Sequence, residues 1–275
     1  MENHYRLLAL DIDGTVLDKN RVISPGVRTA IDKARAAGVI VALSTGRVAQ
    51  GSLDVIADLA LDGFHIFFDG ALINNPNNGD EVFAQPIQRD VVRRAVASAH
   101  GYGLDIGLYS SERYFVEQNS WASDLRSDFY HTVPVVDDFN RVIEEERIIK
   151  AALTLSSDAD RKQAKLFYGE FPDTLNISLT KTPAFPDIDF INVLAPGISK
   201  GKSLERLAGH FNIPMSQVMA VGDGPNDVSL LEAAGFAVAM GENAPDVLKE
   251  LADFITLDVD HDGLALAINR FILRE

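Results

Sequence analysis

The sequence predicts an α/β fold: a doubly wound parallel-sheet core interrupted by an inserted α+β segment. Three observations predict it. Short apolar runs alternate with helix-period patterns near both ends of the chain, the rhythm of βαβ units. From about residue 83 to 186 that rhythm gives way to longer, more polar, aromatic-bearing stretches. Polar clusters follow several of the apolar runs, at the strand ends where open α/β sheets bind ligands.

Taken in order, the apolar run LLAL at 7–10 is the first strand. Ser24-Pro25 opens a helix over 25–37, because serine caps the free N–H groups and proline suits the first helical position; Gly38 closes it. A strand at 39–43, a helix over 48–61 and a strand at 66–68 complete the first part. In the insert, strands are expected at 104–108, 114–116, 148–155 and 175–179, with helices over 90–99 and 158–171. NNPNNGDE and KTPAFPD, both rich in turn formers, bound it. The core resumes with the strand FINVLA at 190–195, then alternates: helix 202–211, strand VMAVG, helix 226–234, strand FAVAM, helix 244–251, strand DFIT, helix 263–273. The expected domains are therefore a core from 1–82 and 187–275 and an insert of 83–186.

Composition narrows the function. With 275 residues and 47% hydrophobic content, the chain can bury a core in each of two domains. Its net charge of −15 disfavours nucleic acid and anionic membranes as partners and favours small-molecule chemistry. The chain has no cysteine, which rules out thiolate nucleophiles and disulfides and fits a reducing cytoplasm. No signal peptide or membrane-spanning run is visible, and the protein is expected to be cytoplasmic.

The run LLAL ends in DIDGT. Residues i and i+2 of a strand share a face, so Asp11 and Asp13 can address one ligand, although an Asp-Gly turn after a strand accounts for the pair equally well. STGR (44–47), GISKGK (197–202) and GDGPND (222–227) follow three more expected core strands. Each alone also reads as ordinary structure: a helix N-cap, a solvated basic turn, a tight turn capping a helix. Together they offer carboxylates, a hydroxyl, lysines, an amide and an arginine. Clustered carboxylates without His or Cys suit a hard cation such as Mg²⁺, and the remaining donors suit a phosphoryl group.

DIDGTVLDKNRVISP, LSTGR, GISKGKSL, GDGPNDVSLLEAAGFAVAMGENAPDVLKELADFIT and HDGLALAI together resemble the haloacid dehalogenase superfamily of phosphohydrolases, in its Cof-type group with an α+β cap. The resemblance implies a Mg²⁺-dependent phosphatase acting on phosphomonoesters of small metabolites, sugar phosphates first. By it, Asp11 is the nucleophile that forms an aspartyl-phosphate and Asp13 the general acid and base. Thr45 binds the phosphoryl oxygens, and Lys200 neutralises nucleophile and phosphate. Asp223 ligates Mg²⁺ with the Asp11 side chain and the Asp13 backbone carbonyl. Asn226 helps hold phosphate, Asp227 orients Lys200 or a metal-bound water, and Gly46 supports the Thr45 loop. Arg47 is either a phosphate contact or a structural ion pair. Two positions depart from the pattern: Asp69 stands where the group usually has Asn, and Leu230 where Met is usual. The expected partner is a small phosphorylated metabolite, and the expected state a monomer or weak homodimer.

The resemblance leaves a phosphomutase or phosphotransferase of the same superfamily as an alternative. PGISKGKS (196–203) raises another, since it nearly spells the phosphate loop of nucleotide-binding proteins; Pro196 stands where that loop requires glycine. The six histidines, His4, His65, His100, His131, His210 and His261, show no metal-ligand spacing and receive no catalytic role. Tyr109, Tyr114, Phe115 and Trp121 are expected to be packing residues of the insert.

Overall fold

The computed structural model describes residues 4–130, 132–182, 185–241 and 244–275. His131, two residues of KTPAFPD and two of the GENAP stretch lie outside them. The chain divides into two compact units, one of residues 1–47, 52–83 and 199–275, the other of 48–51 and 84–198.

The first unit is built on a five-stranded sheet in the order Phe254–Thr256, Phe236–Met240, Val218–Gly222, Leu7–Leu10, Ile40–Leu43, with every pairing parallel. Leu7–Leu10 is wholly buried, as an apolar run in a parallel sheet covered on both faces must be. Its last residue, Leu10, pairs with Val221 on one side and Leu43 on the other. Asp11 therefore leaves the sheet between two neighbouring strand ends, in the crevice where successive connections run to opposite sides. The helix Pro25–Ala36 begins as its sequence dictates: the Ser24 side chain accepts from the Val27 N–H, Pro25 follows it, and Val27, Ala30, Ile31 and Ala34 form its buried face. Leu230, the departure from the usual Met, is buried in the core and fills its place there as an apolar residue.

Beside Ile40–Leu43 the sheet is extended by one parallel bridge, Ser44 to Ile66. Ile66 lies in the strand His65–Phe67, which pairs antiparallel with Leu72–Asn74 in a small separate sheet. The expected strand 66–68 is thus shifted, and Phe68–Gly70 is a turn. The expected helix 48–61 is reduced to Leu53–Asp58, and Ala60 at φ +47 ends it.

His65 is fully buried and its Nδ1 accepts the Leu43 N–H at 3.1 Å. Burial lowers its pKa to about 4. The unfolded chain therefore binds the proton first, so stability does not depend on this group above about pH 6.5 and falls as the pH drops from there toward 4. The loss amounts to about 2 kcal/mol at about pH 5. His65→Asn keeps an acceptor for Leu43 and removes the titration. Thermal melts at neutral pH and near pH 5 should show the variant gaining on the wild type by that amount; parallel losses would contradict the assignment.

The second unit carries a six-stranded sheet in the order Asn176–Thr182, Phe185–Leu194, Lys150–Leu155, Ile106–Tyr109, Tyr114–Val116, Pro134–Val136. Its pairings are antiparallel except the last, between Tyr114–Val116 and Pro134–Val136. Four helices accompany it among the described residues: Arg89–Gly101, Trp121–Tyr130, Phe139–Glu145 and Asp158–Gly169. The last opens on a capping box between Ser157 and Asp160.

Here the sequence reading needs correction. FINVLA lies in Phe185–Leu194, hydrogen-bonded antiparallel to Lys150–Leu155 and Asn176–Thr182, so it belongs to the insert's sheet and not to the parallel core. The division into units falls after Ile198, where a boundary at 187 was expected. A short apolar run reads the same in the middle of either kind of sheet when both faces are covered, and all of Phe190–Leu194 is buried. Trp121 is the second correction: it is 50% exposed, whereas Tyr109, Tyr114 and Phe115 are buried as expected. No helix among the described residues is long and apolar enough to cross a membrane.

Candidate active site

The loop after the first strand is wound tightly: the Val16 and Leu17 N–H groups both donate to the Ile12 carbonyl, and Gly14 N–H donates back to Leu17. Gly14 sits at φ +86, and a Cβ there would lie 2.1 Å from Asp223 Oδ2. Only glycine lets the loop close while Asp223 comes this near.

Asp11, Lys200, Asp223 and Asp227 converge. Lys200 is the first residue of the helix Lys200–His210, whose N-cap Ser199 accepts from Lys202 N–H. Its buried side chain ends between two carboxylates, with Nζ 2.6 Å from Asp11 Oδ1 and 2.6 Å from Asp227 Oδ1. Asp227 Oδ2 accepts the Asp223 and Gly224 N–H groups, both at 3.1 Å, so both oxygens of Asp227 are engaged. The second oxygen of Asp11 accepts no hydrogen bond among the described residues.

Burial, with Asp227 next in weight, pushes Asp11 well above the usual carboxylate range despite Lys200. Burial and Asp227 likewise push Asp223 up to about 7. Burial opposes the charge on Lys200, but Asp11, Asp227 and Asp69 outweigh it and hold its pKa above the ordinary lysine value. Three carboxylates face one ammonium, an imbalance that a divalent cation would correct.

Asp11, Asp223 and Asp227 each offer an oxygen within 4.8 Å of the others, close enough to hold a metal ion. Because Asp227 is already committed to Lys200 and two amides, Asp11 and Asp223 are the carboxylates left to ligate. An all-oxygen set with an excess of negative charge fits Mg²⁺. The Asp13 side chain is not part of this group. Arg47, itself buried, holds it by two hydrogen bonds, Nε to Oδ2 at 2.8 Å and Nη2 to Oδ1. The structure therefore places Arg47 in an ion pair.

Thr45 is buried at the end of Ile40–Leu43, and its Oγ1 accepts the Arg47 N–H at 3.1 Å, which leaves the hydroxyl hydrogen to donate elsewhere. Gly46 has a specific reason to be glycine, since a Cβ there would come 2.8 Å from Asp69 Oδ1. Asn226 is exposed, and its Nδ2 donates to the same Asp69 oxygen at 3.4 Å.

One contributor escaped the sequence reading, and another was read only as the last residue of the near phosphate loop. Ser203 Oγ donates to Gly70 O at 2.6 Å and ties the Lys200 helix to the turn that carries Asp69. Arg21 lies near enough to Arg47 and Asp13 to interact with both; burial and Arg47 lower its pKa. A lone arginine in an unremarked position carries no spacing signal, and the loop motif that holds Ser203 says nothing of its bond to Gly70. None of the histidines within the described residues belongs to the acidic group.

Residues 8–268 match the family model for haloacid dehalogenase-like hydrolases. The 5-amino-6-(5-phospho-D-ribitylamino)uracil phosphatase YcsE of Bacillus subtilis is 30% identical over 98% of this chain and 96% of its own. A haloacid dehalogenase-like hydrolase from Bacteroides thetaiotaomicron superposes with a TM-score of 0.86 at 26% identity, covering 97% of this chain and 99% of that one. The subclass IIB sugar phosphatase BT4131 does so with a TM-score of 0.79 at 25% identity, covering 97% and 98%. With the acidic cluster and its lysine at the strand ends of a parallel core, these likenesses agree on one conclusion: the chain belongs to the haloacid dehalogenase-like hydrolase family and is a phosphatase.

Proposed function

We propose that the protein is a Mg²⁺-dependent phosphatase of small phosphorylated metabolites, sugar phosphates first, working in the cytoplasm through an aspartyl-phosphate on Asp11. The observation that carries this reading is the state of Asp11: one oxygen is held by the buried Lys200 and the other is left without a hydrogen bond. A carboxylate so fixed has one oxygen to attack with and a cation to accept the charge of the incoming phosphate.

In the first step, the open Asp11 oxygen forms a bond to phosphorus as the bond to the ester oxygen breaks. Asp13 gives its proton to the leaving oxygen. In the second step, a water attacks the same phosphorus, Asp13 takes its proton, and inorganic phosphate and the Asp11 carboxylate are restored. Both proton transfers require the Asp13 carboxyl to rotate off Arg47. Thr45, Lys200 and Asn226 are assigned to the phosphoryl oxygens, with Asp227 holding Lys200 in line. Asp11, Asp223 and the Asp13 carbonyl would hold Mg²⁺, which would supply charge neutralisation and alignment for the in-line displacement.

Phosphate release from p-nitrophenyl phosphate tests the class, and a panel of metabolite esters that includes phosphorylated sugar alcohols, the chemistry named for YcsE, tests the substrate. A requirement for a sugar bisphosphate activator would instead identify a mutase. Mg²⁺ is expected to activate and Ca²⁺ to inhibit, because Ca²⁺ takes more and longer bonds than this compact carboxylate pair offers. Full activity in chelator, or equal activity with Ca²⁺, would sink the metal assignment.

A further inference from the structure

Phe68, Asp69 and Gly70 form a turn in which all three backbones are left-handed, at φ +52, +53 and +106. Two non-glycine residues in succession keep that conformation only where their surroundings hold them, and such strain concentrates at functional sites. Here the surroundings are the site itself. Phe68 N–H donates to Arg47 O and Asp69 N–H to Thr45 O, both at 3.0 Å, while Gly70 O accepts from Ser203 in the Lys200 helix.

The product of this clamping is the position of one carboxylate. Asp69 lies against Gly46, accepts the 3.4 Å bond from Asn226 on Oδ1, and contributes its charge at Lys200. Its Oδ2 accepts no hydrogen bond among the described residues. A fixed negative charge with an open acceptor thus borders Thr45, Lys200 and Asn226. It repels any phosphate dianion held by those groups, and a ligand that brings its own donor to Oδ2 offsets that repulsion. Asp69 is only partly buried, so water solvates Oδ2 in the free protein, and the discrimination comes from its fixed charge beside the phosphate-binding groups.

We propose that Asp69 is a specificity-determining residue, selecting phosphate esters that carry a hydroxyl or ammonium group beside the phosphate and disfavouring bare phosphate. The inference rests on the assignment of Thr45, Lys200 and Asn226 to phosphate. Its consequence for the catalytic cycle is weak retention of the inorganic phosphate product, which has no hydroxyl or ammonium group outside the phosphoryl group itself.

Asp69→Asn preserves size and keeps an oxygen for Asn226, so it removes the charge with little else. Inorganic phosphate binding, measured by calorimetry with Mg²⁺ present, should tighten about tenfold or more in the variant. The preference in kcat/KM for hydroxylated esters over p-nitrophenyl phosphate should fall by a similar factor, with thermal melts unchanged. Equal phosphate affinities in a wild type that hydrolyses esters overturn the role of Asp69 alone. Failure of both proteins to bind phosphate and of the wild type to hydrolyse any ester overturns the phosphatase mechanism, and the inference with it.

Discussion

Asp11→Asn is expected to lower kcat on any phosphomonoester by about a thousandfold or more, to the limit of detection, with no loss of stability. The amide has the size of the carboxylate and can still accept from Lys200, but it is not a nucleophile at phosphorus. Stability should hold or rise, because burial and Asp227 both work against ionised Asp11. After the change, Lys200 still has Asp227 at 2.6 Å. The measurements are single-turnover and steady-state rates together with a thermal melt, with intact mass to show that the amide has not hydrolysed back to aspartate. Wild-type turnover by an Asp11→Asn protein whose mass confirms the amide would remove the covalent mechanism. Trapping of a hydroxylamine-sensitive phosphoprotein in the wild type, absent from the variant, would support it directly.

How far this was legible in the sequence depends on which element is asked. The first strand and the helix after it were readable because their signals are local: four apolar residues, a Ser-Pro cap, a glycine at the end. The meeting of Asp11, Lys200, Asp223 and Asp227 was readable for a different reason, namely that each falls in a motif and the motifs follow one family's order. What the sequence could not supply is non-local. FINVLA pairs with strands of the insert through hydrogen bonds that no single-strand pattern encodes. Lys200 consequently does not extend from the end of a core strand; it opens a helix at the point where the chain leaves the insert's sheet. Asp13 is expected as the general acid and base and Arg47 as a phosphate contact or a structural ion pair, but that Asp13 is the partner depends on a loop crossing between residues 34 positions apart. Trp121 failed for the converse reason, since aromatic character predicts burial only on average and a helix start can carry an exposed ring.

Lys200→Ala and Lys202→Ala should separate by two orders of magnitude or more, and the contrast decides which lysine serves the phosphate. Lys200 is buried between Asp11 and Asp227, whereas Lys202, two residues on, is exposed on the first turn of the same helix. Truncating Lys200 removes a preorganised cation from a water-poor site, and loss of one such group typically costs about a hundredfold to a thousandfold in rate. It also leaves two carboxylates buried without their shared ammonium, which costs about 3–5 kcal/mol when one partner of a buried pair is deleted. The variant should therefore melt lower as well as turn over slowly. Lys200→Met, which refills the volume without the charge, separates the two effects: its melting temperature should recover part of the loss while kcat stays low. Lys202→Ala should remain within a few-fold of wild type in rate, with an unchanged melt, because an exposed side chain contributes little to either. The reading of 196–203 as a nucleotide phosphate loop demands the opposite ranking, since the lysine after Gly201 would then reach the phosphates and Ser203 the metal. Ser203 instead donates to Gly70 O, away from the acidic group. A Lys202→Ala variant that lost activity beside an active Lys200→Ala would move the phosphate to the other lysine and undo the assignment of the site.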